Sequence, residues 1–223
     1  MGERRYSRFL TVLLIIIIVA VIGLGGYLGY TYYKNYRTVE DANKFVATFV
    51  EDIDDTKSTE NAVSGENTGS IAENVETAVT TSGSTVKTYK GFNVIGSIEI
   101  PKTNVNCPIF EDPPTTKKLE LAVSALYPRY AEVNKPGNVV IVGHNYRNGL
   151  FFSNNKKLVN GDKINITDLN GKKVTYTVYN VFQTDQNNTE FYNRDTDGAM
   201  EITLSTCTDA SNDQRIIVLA RAE

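Results

Sequence analysis

From Phe9 to Tyr33 the chain carries 25 consecutive uncharged residues, FLTVLLIIIIVAVIGLGGYLGYTYY. At about 1.5 Å of rise per residue, a helix of that length crosses a hydrocarbon core about 30 Å thick with some tilt. Tyr27, Tyr30, Tyr32 and Tyr33 crowd its C-terminal end, where a headgroup-level aromatic belt belongs. The apolar core of a cleaved signal peptide is only about 7–15 residues long and is followed by a small-residue cleavage site, and no clear A-x-A follows here. Residues 1–37 therefore read as an uncleaved signal anchor with its membrane span at about 9–33. Arg4, Arg5 and Arg8 precede the run, and Lys34 and Arg37 follow it closely. That basic excess predicts a single-pass protein with a cytoplasmic N-terminus and an extracytoplasmic remainder.

Charge divides the chain into three unlike parts. Residues 1–37 carry a net +4, residues 38–85 a net −8 and residues 86–223 a net +1. Such steps mark parts with different tasks. Val39, Ala42, Val46, Phe49, Val50 and Ile53 recur at helical spacing among acids, which predicts a short amphipathic helix outside the membrane. It either packs on the downstream domain or extends the anchor. Ser, Thr, Asn and Gly fill 18 of the 30 positions 56–85, without an aromatic residue. A stretch of that kind buries too little apolar surface to offset its ordering entropy, so it reads as a flexible spacer. Residues 38–88 thus form an extracytoplasmic helix and spacer, and 89–223 a folded domain.

The formal net charge of −3 argues against a nucleic-acid partner, because phosphate neutralisation requires a marked cationic excess. A single histidine excludes sites with two His ligands, and two widely separated cysteines exclude a CxxC pair or a four-cysteine zinc site.

Within 89–223 the signals are mostly strand-like. Val94–Ile100, Val105–Phe110, Asn138–Val142, Lys163–Thr167, Lys172–Thr184, Glu201–Thr206 and Gln214–Ala220 read as strands. Lys117–Leu126 has helical spacing, Phe151–Leu158 reads as one or two helical turns, and Asn170-Gly171 is a hairpin signal. Seven or eight strands at this spacing, with one or two short helices, predict a mainly β, closed or nearly closed barrel.

Three chemistry-bearing residues fall at strand ends. His144 follows the apolar run NVVIV through Gly143, in a loop rich in Asn and Gly. Cys207 ends EITLST, and alternation puts it with Thr203 and Ser205 on the more polar face. Arg215 opens the next strand eight residues later, so a hairpin sets it across from Cys207. Cys107 lies inside an apolar strand before a proline and reads as a small buried residue. A thiolate is a nucleophile for amide carbonyls, an imidazole shuttles the proton, and a guanidinium stabilises an oxyanion. Cys, His and Arg are thus a sufficient set for acyl transfer through a thioester.

On TLSTC (Thr203–Cys207), the Arg215 strand QRIIVLAR and VIVGHN (Val140–Asn145), the sequence resembles the sortases, cysteine transpeptidases of the Gram-positive cell surface. The order of anchor, spacer and β-domain with His, then Cys, then Arg is similar too, and the resemblance covers about residues 89–223. It implies an eight-stranded β-barrel with Cys207 as nucleophile on the threonine carbonyl of a short sorting signal. It further implies that His144 protonates the leaving amine and later deprotonates the incoming one. Arg215 would stabilise the oxyanion or hold the substrate backbone, and no metal or other cofactor would be required. The implied partners are sorting-signal-bearing surface proteins and an amine, from a peptidoglycan precursor or a pilin. TLSTC and GHN resemble class B sortases, whose signals are of the NPQTN kind, and in that pattern Ser205 lines the substrate groove. The connection Gln186–Met200 is 15 residues long, shorter than the helix-containing connection of class B members.

Two other functions fit the same residues. One is a membrane-tethered cysteine peptidase that uses water as acceptor. The other is a non-catalytic surface-binding domain in which Cys107 and Cys207 form a disulfide, which an extracytoplasmic location permits.

Overall fold

The computed structural model describes the backbone of residues 2–62 and 87–223, and the side chains of 9–51 and 87–223. Helix α1 (Gly2–Ala62) is followed by strands β1 (Lys87–Tyr89), β2 (Phe92–Ile100) and β3 (Val105–Phe110), then helix α2 (Thr116–Leu121), β4 (Val123–Tyr127) and β5 (Gly137–Val142). After these come β6 (Lys163–Asp168), β7 (Lys173–Asp185), β8 (Met200–Cys207) and β9 (Gln214–Ala222). Short 3-10 turns occupy Pro101–Thr103 and Phe152–Lys157. The chain forms two units, residues 1–40 and residues 41–223.

In the first unit α1 is long and apolar enough to cross a membrane by length and composition. Its large apolar side chains from Phe9 to Tyr33 are exposed. The expected spacer over 56–85 lies outside the described residues from position 63 onward. Before that point α1 continues, so positions 56–62, expected as part of the flexible spacer, are helical.

The second unit is a barrel. Its strands run in the order β1-β2-β3-β4-β5-β8-β9-β7-β6, and β6 pairs back onto β2. Strands β2 to β9 thus form a closed eight-stranded ring, with β1 an appendage on the start of β2. Closure removes the open edges that an isolated sheet would present. The interior is filled by alternate residues of every strand, among them Ile98, Ile109, Ile141, Ile164, Ile166, Leu204 and Val218, all fully buried. Two pairings, β3 with β4 and β5 with β8, are parallel.

Lys117–Leu126 is not one helix. Thr115 caps a short helix by accepting from the Lys118 backbone N–H at 3.3 Å, and the helix stops at Leu121. The apolar VSALY that follows is drawn into β4 by pairing with β5. Barrel closure here overrides local periodicity.

The amphipathic stretch at the start of this unit packs against the barrel. Ala42, Val46 and Phe49 are buried, and Ala42 joins the main core. The rings run in series: Phe49 to Phe45 at 5.9 Å, Phe45 to Tyr89 at 4.8 Å and Tyr89 to Phe110 at 6.0 Å. Asp41 and Lys90 pair at 2.9 Å beside them. Val50, expected on the apolar face, is exposed, and Phe45 takes its place in the contact.

Candidate active site

Strands β8 and β9 form an antiparallel hairpin whose register places Cys207 directly opposite Arg215. Alternation turns Cys207, Ser205 and Thr203 away from the barrel interior, while Ile202 and Leu204 point into it. Cys207 is partly exposed at the strand end. Arg215 Nη1 lies 3.4 Å from Cys207 Sγ. The same nitrogen donates to the carbonyls of Asn212 and Gln214, and Nη2 lies 3.4 Å from Gln186 Oε1. The guanidinium is therefore held by the hairpin turn and by the segment leaving β7, with Cys207 sulfur as one of its contacts.

His144 reaches this place through the parallel pairing of β5 with β8, whose last aligned pair is Val142 with Ser205. The residues on both sides of His144 are bonded to the end of β8. Gly143 N–H donates to Ser205 O at 3.3 Å and Thr206 Oγ1 donates to Gly143 O at 2.8 Å. Asn145 Nδ2 donates to Cys207 O at 2.9 Å. Gly143 is required here, since a Cβ at that position would lie 2.8 Å from Phe152 Cδ2 and 2.9 Å from Val123 Cγ1. The imidazole is half-buried, with the Tyr146 ring 4.9 Å away. Burial pushes its pKa down, against a weaker upward pull from the Glu120 carboxylate on α2. Neutral imidazole is thereby favoured at neutral pH.

Sequence reasoning named Asn145 only as part of a tight polar loop and did not find its partners Asp209 and Lys156. Asn145 Nδ2 also donates to Asp209 Oδ1 at 2.9 Å, and Asp209 pairs with Lys156 from the following 3-10 turn. These hydrogen bonds, Lys156 first, hold the Asp209 carboxyl below its usual range. The loop after His144 and the loop after Cys207 are thus fastened to one another. The only signal in the sequence for Asp209 was a polar residue two positions after Cys207, and Lys156 gave none.

Ser205, placed by resemblance in the substrate groove, is 6% exposed and sits in register between Val142 and Ile217. Cys107 is buried in β3, and desolvation pushes its thiol up to about 12. Both cysteines are free, so the disulfide of the non-catalytic alternative is not formed. Among the described residues no group of three or more His, Cys, Asp or Glu side chains is placed to hold a metal ion.

A thiol, an imidazole and a guanidinium on three strand ends form an arrangement suited to acyl transfer. A family model described as "Sortase domain" matches residues 98–223. Sortase A of Streptococcus agalactiae serotype III is 31% identical over 136 residues, 58% of this chain and 53% of that protein. The chain thus spans about half the length of that curated relative. Among solved structures, Sortase A from Corynebacterium diphtheriae aligns with a TM-score of 0.52 at 29% identity, over 59% of this chain and 61% of that one. A Clostridium perfringens Sortase D5 transpeptidase aligns with a TM-score of 0.51 at 30% identity, over 58% and 79%.

Proposed function

The chain belongs to the sortase family, and on that premise we propose that it is a membrane-anchored cysteine transpeptidase acting on sorting signals of surface proteins. The observation that carries this reading is the Arg215 guanidinium 3.4 Å from Cys207 Sγ, on a strand end to which the residues flanking His144 are hydrogen-bonded.

The chemistry follows from the three groups. Neutral His144 takes the Cys207 proton as the sulfur attacks the threonine carbonyl of the signal. Arg215 stabilises the oxyanion of the tetrahedral intermediate. Collapse breaks the carbon–nitrogen bond, and the imidazolium gives its proton to the leaving amine. The thioester is then attacked by the acceptor amine, whose proton passes through His144 back to the released Cys207 sulfur. Ser205, one rung below Cys207 on the same face, borders the place where the signal approaches. The acceptor is an amine of a peptidoglycan precursor or a pilin.

Residues 1–37 act as the signal anchor, crossing the membrane at about 9–33 with the N-terminus cytoplasmic. Residues 38–88 connect the anchor to an extracytoplasmic catalytic domain over 89–223. TLSTC and GHN favour class B and an NPQTN-like signal, and a docked N-terminal helix supports it. The Streptococcus, Corynebacterium and Clostridium relatives carry class A and class D names, so an LPxTG-like signal belongs in the same test.

The test incubates the full chain in detergent micelles with quenched LPxTG-like and NPQTN-like peptides, with and without an added amine, and identifies products by mass. The expected product is the peptide cut after threonine and joined to the amine, absent with Cys207→Ala. Cleavage that never incorporates the amine would replace this reading with a peptidase. Turnover that survives Cys207→Ala would overturn it.

A further inference from the structure

The face of the barrel that carries Cys207 has four rungs, read from the β5–β8–β9 register. Cys207 faces Arg215, Ser205 lies between Val142 and Ile217, Thr203 between Val140 and Leu219, and Glu201 between Asn138 and Arg221. The connection 186–199 between β7 and β8 lies over this face. Phe191 is buried on Val140, Ile217 and Leu219, with the ring of Tyr192 4.8 Å from it and 5.7 Å from Tyr127. The connection reaches the first rung at its start. Its first residue, Gln186, contacts Arg215.

At the fourth rung a polar network anchors the connection. The Glu201 side chain is wholly buried, and its carboxylate accepts from Arg194 Nη1 at 2.6 Å, Arg221 Nε at 2.8 Å and Tyr179 Oη at 2.8 Å. Desolvation pushes that carboxyl up, and the three donors together outweigh it and hold it below its usual value. Arg194 Nη2 also reaches Asn138 Oδ1 at 3.2 Å and Thr203 Oγ1 at 3.3 Å. Asn138 Nδ2 in turn donates to the backbone carbonyls of Phe191 at 3.0 Å and Tyr192 at 2.9 Å. Arg194 therefore ties its own connection to an ionised carboxylate that has no solvent to fall back on. Arg221 satisfies the same carboxylate from β9, a strand already fixed by its ladders.

We propose that Arg194, acting through Glu201 and Asn138, is a positioning residue that locks the 186–199 connection and so sets where Gln186 stands against Arg215 and where Tyr192 stands toward an incoming peptide. The inference rests on the transpeptidase reading. In this chain, binding of the signal depends on an ion pair three rungs away from the nucleophile.

Arg194→Gln and Arg221→Gln separate the lock from plain stability, because each removes one guanidinium from the same carboxylate. Both variants of the full chain, in detergent micelles, lower the melting temperature. With whichever of the LPxTG-like or NPQTN-like peptides the native chain cleaves, Arg194→Gln raises KM about tenfold or more with a smaller fall in kcat. Arg221→Gln keeps KM within about twofold. Arg194→Lys, which keeps the charge and loses the fork, falls between them. Amide hydrogen exchange across 187–199 accelerates in Arg194→Gln and not in Arg221→Gln. Equal KM changes in the two variants would overturn the proposal. If the native chain cleaves neither peptide, the transpeptidase reading fails, and the exchange data decide the lock on their own: unchanged exchange in Arg194→Gln refutes it.

Discussion

Arg215 stands directly across the β8–β9 ladder from Cys207 and brings its Nη1 to 3.4 Å from the sulfur. The planar fork keeps further contacts to Asn212, Gln214 and Gln186, so its orientation is set before any substrate arrives. Arg215→Lys keeps the charge and loses that geometry. Its kcat falls by about 10²–10³, the usual effect of removing one oxyanion donor, with a smaller change in KM. Steady-state kinetics on the cleaved peptide measure this, and near-native kcat would remove Arg215 from the mechanism.

The two thiols differ in reactivity. Cys107 is 2% exposed with its thiol pushed up to about 12, whereas Cys207 is partly exposed beside a guanidinium. A chromogenic thiol reagent at pH 8 titrates one cysteine in the native chain and two after denaturation. Cys207→Ala leaves the native chain unreactive, and a persisting fast thiol in that variant would contradict the burial of Cys107.

His144 is the one histidine of the chain, so a proton NMR titration reports it without assignment. Burial lowers its pKa, and the midpoint falls below the ordinary value of about 6.5. Above the unfolded value neither state binds the proton, and as pH falls from there through the folded value the unfolded chain binds it first. Stability is therefore lost on acidification through that window, and His144→Gln flattens this part of the curve. A midpoint above 6.5 would mean that Glu120, not burial, governs the ring.

Asn145 joins the loop of His144 to the backbone of Cys207 and to Asp209. Asn145→Ala loosens both attachments without touching a barrel core residue. The expected result is a fall in kcat of about tenfold or more, since small misplacements near reacting groups are costly. The melting temperature moves little, because the barrel ladders are intact. Unchanged kcat would show that β5 and Thr206 place His144 unaided.

Phe49 fastens the amphipathic segment to the barrel through Phe45 and Tyr89. Phe49→Ala removes a ring that is 2% exposed and costs about 3 kcal/mol or more where the site does not collapse. Denaturant unfolding of the full chain in detergent measures the loss. Limited proteolysis then cuts within residues 41–51 before the barrel. Native resistance there would indicate that the segment is held by other contacts.

Features that depend on neighbours in the chain were legible in the sequence. The uncharged run, the acidic stretch, most strands and the facing of Cys207 and Arg215 across a short hairpin all follow from composition, period and turn chemistry. The helical spacing of Lys117–Leu126 misled, because β4 is made by pairing with β5 and not by its own periodicity. His144 was singled out as a lone histidine in a tight loop, but no spacing could bond its neighbours Gly143 and Asn145 to the end of a strand about 60 residues later. That neighbourhood exists because β5 and β8 pair in parallel, a contact set only by closure of the ring. The same holds for Asn145 with Asp209, for Arg194 with Asn138, and for the docking of Ala42, Val46 and Phe49. The chemical inventory and the local turns that present it are readable along the chain, since they depend on residue type and on interactions a few positions apart. Which of those groups meet is settled only in three dimensions, because long-range strand order and register come from burying a shared core, and no periodicity along the chain encodes them.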